Sequence, residues 1–200
     1  MPKMSTDYGK VLKDKFDNNP SNVIKKWNVY GTNKLEDKIK NAKQDQWEDI
    51  INRIVLWKVD RQVEIDDELI DRIVNHTKRY KWTEKENYDE LRKLLFDMLS
   101  CRGVRIPMAS TILHFLHPNT FCIIDRRAYR VVYEGKEYKE SNSNSEKNKY
   151  KKADDYIEYM KKCKEYYEKN KLADYGIKFK DLDRYTYQLD IEAGNKVNEG

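Results

Sequence analysis

Apolar residues recur at three- and four-residue intervals along most of this chain, and that rhythm confines it to helices. Trp47, Ile50, Ile51, Ile54 and Val55 make one such stripe, ending near Leu56-Trp57-Lys58. Leu69, Ile70, Ile73 and Val74 make a second, and Leu91, Leu94, Leu95 and Met98 a third. Residues three or four apart share a helix face, whereas a strand would alternate in twos. The spacing returns at Tyr156, Met160, Cys163 and Tyr167, and again at Leu182, Tyr185 and Leu189. The signals for helix starts agree: Asp66-Asp67-Glu68 suits the positive end of the second helix, and Thr83 to Glu86 has capping-box spacing before the third. The expectation is an all-α fold with room for at most a short strand.

The third stripe stops near Ser100 and is followed by Gly103, whose backbone freedom permits a tight turn. Pro107 then suits the first turn of a next helix, in which Ala109, Ile112, Leu113 and Leu116 bury one face before His117-Pro118 ends it. The pattern predicts helix, hairpin, helix. Backbone amides at such a turn, with the dipole of the following helix, can hold a phosphate without reading its base. Gly103, Val104 and Arg105 would form that anchor, and Arg102 and Arg105 would add charge. Beyond it, Phe121-Cys122-Ile123-Ile124 is a short buried run, and Asp125 precedes the helical segment Arg126-Arg127-Ala128-Tyr129-Arg130-Val131. Asp125 is therefore an N-cap candidate.

Taken together, the Gly103 turn, the helix opened by Pro107 and the acid at Asp125 resemble the active-site segment of the helix-hairpin-helix DNA glycosylases. The resemblance implies a two-lobed all-α fold, duplex DNA as partner, and Asp125 as the carboxylate that stabilises positive charge on the sugar or helps water attack C1′. Two roles stay open for Asp125, cap and catalyst, and they are compatible. The family has a second Gly where this chain has Arg105, and a Leu-Pro pair where it has Cys101-Arg102. Its bifunctional members carry a Lys at the position of Pro107, and a proline has no amine for a Schiff base. The implied activity is monofunctional: hydrolysis of the N-glycosidic bond of a flipped base, leaving the strand intact. Further DNA contacts are assigned to Arg126 and Arg130, which share a helix face, and to Lys58 at the end of an earlier helix.

Composition bounds these readings. With 200 residues, 38% of them hydrophobic, the chain can bury one sizeable core. Forty Lys and Arg against 35 Asp and Glu permit DNA binding without demanding it, since clustering on one face is what matters. Three widely spaced cysteines suggest neither a disulfide framework nor a zinc site, and none after Cys163 could complete an iron–sulfur cluster. No metal or cofactor is expected. No signal peptide or membrane-spanning run is evident, so the expected location is cytoplasmic.

The expected organisation is an N-terminal extension over 1–20 with one short helix around Val11-Leu12 and Phe16, a helical domain over 21–190, and a polar tail over 191–200. Residues 133–152 lose apolar spacing and read as a mobile insertion. The rival function is a non-catalytic DNA-binding or interaction protein on the same fold, of the kind a mobile element or defence system employs. A cleft at Asp125, deep enough for a nucleobase and flanked by basic residues, would separate the two.

Overall fold

The computed structural model describes residues 7–26, 38–59, 63–80 and 86–195. Among these residues the fold is all-α, with no strand. The helices are α1 (Tyr8–Phe16), α2 (Pro20–Lys26), α3 (Trp47–Val59), α4 (Asp67–Arg79), α5 (Glu86–Ser100), α6 (Ile106–Leu116), α7 (Arg126–Val132), α8 (Glu146–Lys169) and α9 (Leu182–Glu192). Short 3-10 turns at Gln44–Gln46, Leu172–Tyr175 and Phe179–Asp181 precede or join them. No described helix is long and apolar enough to cross a membrane.

Each amphipathic stripe read from the sequence faces inward: Ile54, Ile73, Leu91, Leu95, Met98 and Ile112 are essentially solvent-free. Each such side chain contributes about 1.5–3 kcal/mol relative to exposure. The buried apolar residues form one cluster running from Phe16 to Leu189. At its centre lies α6, buried on nearly every side from Ile106 to Phe115. A helix apolar all round belongs in the interior of its fold, and α3, α4, α5 and α8 pack around this one.

Local chemistry sets the ends. Asp66 caps α4 by accepting from the Leu69 amide at 2.8 Å, and Asp7 caps α1 through the Lys10 amide at 3.1 Å. The Thr83 capping box lies outside the described residues, as do Trp27 and Trp82.

One expectation needs correction. The segment 133–152 is not one irregular insertion, because α8 begins at Glu146 and residues 146–152 are its first two turns. The buried face includes Lys152 and Ala153 ahead of Tyr156, so a lysine on the inner face hid the helical period. The short N-terminal helix expected around Val11-Leu12 and Phe16 is present as α1, and it is docked: Tyr8 Oη donates to Asp190 at 2.7 Å and Phe16 is buried.

Candidate functional site

Helix α5 ends at Ser100, and after five intervening residues α6 begins at Ile106, with Pro107 in its first turn. Between them Gly103 sits at φ +83°, a conformation that costs an L side chain strain. The Cys101 amide donates to Met98 and the Val104 amide to Cys101, closing the turn on itself. The Glu64 amide, in the segment before α4, donates to the Arg102 carbonyl at 3.3 Å and pins the turn from outside.

The charged groups here are already engaged. Arg102 is 84% exposed and lies 3.4 Å from Glu64, itself 71% exposed. Such a pair contributes little and exchanges readily. Arg105 lies 3.5 Å from Glu140 and donates to Asn142 at 3.1 Å. The Glu140 carboxylate also receives a long 3.5 Å contact from the Ile106 amide and lies 3.9 Å from the buried Lys152 ammonium. A carboxylate from the chain itself thus faces the amino end of α6, where the positive end of the helix dipole favours an anion. Val104 is buried and contributes backbone only.

Asp125 caps α7. Its Oδ1 accepts from the Arg127 amide at 2.7 Å and the Ala128 amide at 2.8 Å, with Asp125 itself in an extended backbone conformation. The run before it is held on two sides. Tyr156 and Tyr159 of α8 donate their phenols to the Cys122 and Ile123 carbonyls, each at 3.0 Å. Burial pushes both phenols far above their ordinary range, so they stay protonated and keep donating. From the other side the Ile124 amide donates to Ser110 Oγ of α6 at 3.2 Å. Ser110 Oγ in turn donates to the Pro107 carbonyl at 3.0 Å. One helix therefore connects the Gly103 turn to the residue preceding Asp125. His114 also braces the run, its Nδ1 bonding the Phe121 carbonyl at 2.7 Å, which is a structural role.

Of the residues expected to join Asp125, Arg126 is exposed beside it. Arg130 is not available to DNA. It is 5% exposed, with Nε 3.7 Å from Asp190 and 3.8 Å from Glu137. The expected pairing of Arg126 with Arg130 is replaced by Arg127 with Arg130, which share a face at a spacing of three and converge on α9. Arg127 Nη1 donates to Asp190 Oδ2 at 3.1 Å and to the Asn195 carbonyl at 2.9 Å. Asp190, fully buried, accepts in addition from Tyr8 and from Asn195 Nδ2 at 2.9 Å. This hub was missed from the sequence. Its signal was present, since Asp190 continues the inward face marked by Leu182, Tyr185, Thr186 and Leu189. Lys58 lies outside the residues whose side chains are described, and so does Trp57.

The cavity nearest to this unit has a volume of about 330 Å³ and is lined by Ile106, Ile124, Tyr129, Tyr133, Tyr138 and Tyr156, among others. Tyr129 and Tyr133 stack there with centroids 4.2 Å apart. Asp125 lines neither this cavity nor the three others described, which lie along α1 and α9, between α5 and α8, and at the carboxyl end of α6. Among the described residues no group of three His, Cys, Asp or Glu side chains could hold a metal ion. No family model matches the chain, and no curated protein or solved structure matches it.

Proposed function

We propose that this chain binds duplex DNA through the α5–α6 turn and hydrolyses an N-glycosidic bond with Asp125 as the catalytic carboxylate. The observation that carries the reading is the rigid path Gly103 turn, α6, Ser110, Ile124, Asp125, in which a backbone anchor and an acid are held by one buried helix. A site of this kind works by fixed geometry: the anchor grips a phosphate while the acid meets the sugar of an extruded nucleotide. In the reaction the C1′–N bond breaks with its electron pair leaving on the base, and water adds at C1′. The Asp125 carboxylate balances charge on the oxocarbenium-like sugar or takes the proton of the attacking water. The two-lobed, helix-hairpin-helix arrangement belongs to this reading.

A second reading has its own support. The nucleobase-sized cleft that would mark a catalytic Asp125 is not among the four cavities described, none of which Asp125 lines, and its Oδ1 takes both cap bonds. A non-catalytic DNA-binding protein on this fold would have Asp125 as a cap alone. Base excision across a panel of lesion-bearing duplexes decides between them, because abasic-site formation requires the chemistry and a binder leaves every lesion intact.

DNA binding is expected to weaken steeply with salt, because phosphate contacts release counterions. Replacing Arg102 and Arg105 together should lower affinity about equally for all sequences and reduce the salt slope by about 2. Fluorescence anisotropy at several salt concentrations measures both quantities, and an unchanged slope removes the turn from the interface. With Pro107 at the lyase position, borohydride should trap no covalent adduct and the abasic product should need alkali to break. A trapped adduct, seen as a band shift on a denaturing gel, contradicts the monofunctional assignment.

A further inference from the structure

At the carboxyl end of α6, remote from the Gly103 turn, four chain segments enclose a cavity of about 600 Å³ whose charge is one-sided. Among the described residues Lys40, Lys78, Lys178, Lys180 and Arg184 line it against a single carboxylate, Asp181. The chain as a whole has nearly balanced charges, 40 Lys and Arg to 35 Asp and Glu, so this concentration is local. Asp181 is engaged with Arg184 at 3.4 Å. Among the described residues Lys78, Lys178 and Lys180 have no ion-pair partner. The carboxyl end of one helix carries about half a negative charge and cannot balance these three ammonium groups. His117 registers the resulting field: burial pushes its imidazole below the ordinary range, and the nearby Lys78 ammonium pushes it further the same way. Beneath the cations the lining is apolar and aromatic, with Trp47, Phe115, Leu116 and Pro118.

We propose that this cavity binds a phosphate-bearing ligand of the nucleoside diphosphate class, either free or as the phosphorylated end of a strand. Gathering cations without counter-charge raises the energy of the unliganded protein, and a multiply charged phosphate group relieves it. The volume lies within the range of small-molecule sites, and the apolar floor suits the body of a nucleoside. The lysines act as point charges for the phosphates. The cavity is separate from the proposed DNA surface, so the inference stands whether or not Asp125 is catalytic.

Isothermal titration of the full chain at low ionic strength tests it with ADP, pyrophosphate, adenosine, and one short oligonucleotide carrying either a 5′-phosphate or a 5′-hydroxyl. ADP and pyrophosphate should bind about tenfold or more tightly than adenosine, and the ring signals of His117 should move in NMR spectra. The double variant Lys178→Glu, Lys180→Glu changes two surface side chains and should lower ADP affinity at least about tenfold. The Arg102 and Arg105 double variant should bind ADP as wild type does, which keeps this test apart from the DNA reading. Preference for the phosphorylated oligonucleotide over ADP identifies the strand end as the source and upholds the site. The inference is overturned if phosphate adds nothing to adenosine and nothing to the oligonucleotide, or if charge reversal leaves ADP binding unchanged.

Discussion

Asp125→Asn should reduce base excision on the order of 10²–10³-fold while the protein melts within a degree or two of wild type and binds DNA equally well. The amide retains an oxygen in the place of Oδ1, so the Arg127 and Ala128 amides keep their acceptor. What it loses is the negative charge that balances an oxocarbenium-like sugar. Asp125→Ala removes both functions, and should lose about 1 kcal/mol of stability in addition to activity. Single-turnover excision beside a thermal melt separates the roles. Wild-type excision by Asp125→Asn would sink the proposed mechanism and leave Asp125 as a cap.

Asp190→Ala should destabilise the fold by about 3–5 kcal/mol, a fall in Tm on the order of 10 °C. Asp190 is fully buried and accepts from Tyr8 of α1, Arg127 of α7 and Asn195 beyond α9, with Arg130 also 3.7 Å away. Removing it leaves two largely buried guanidiniums with Glu137, 3.8 Å from Arg130, as their remaining counter-charge, and it unties three elements at once. The loss should be smaller when Arg127→Met accompanies Asp190→Leu, because the guanidinium bonded directly to Asp190 is then no longer left without its carboxylate, while Arg130 keeps Glu137 at 3.8 Å. Urea denaturation of the single and double variants measures the coupling. Equal losses in both would mean that packing, not charge, holds this junction.

These two acids show how differently the chain discloses its parts. Asp125 is readable from local pattern: a short apolar run, an acid, then a helical segment specify a cap whatever the rest of the protein does, because a helix start leaves amides that an adjacent oxygen can satisfy. The Gly103 turn is readable for the same reason, since positive φ is a property of the residue at that point in the chain. The helical stripes are equally local, and α3 to α6 lie where the apolar spacing placed them.

What the pattern could not disclose was which polar residues face inward and toward what. Lys152 interrupts the inner face of α8, so the helix was read as beginning at Tyr156, although it starts at Glu146. Arg130 looked like a surface cation beside Arg126, but its partner Asp190 lies sixty residues away and only the packing of α7 on α9 brings them together. The five cations at the carboxyl end of α6 come from three separate stretches of chain, none of them basic enough alone to stand out. Periodicity, capping and turn chemistry depend on neighbours within a turn or two, so the sequence by itself determined α3 to α6, the Gly103 turn between α5 and α6, and the place of Asp125. Ion pairs and cavities depend on atoms distant in sequence, and only the tertiary structure decided that Arg130 is buried, that Glu140 faces α6, and where the unbalanced charge collects.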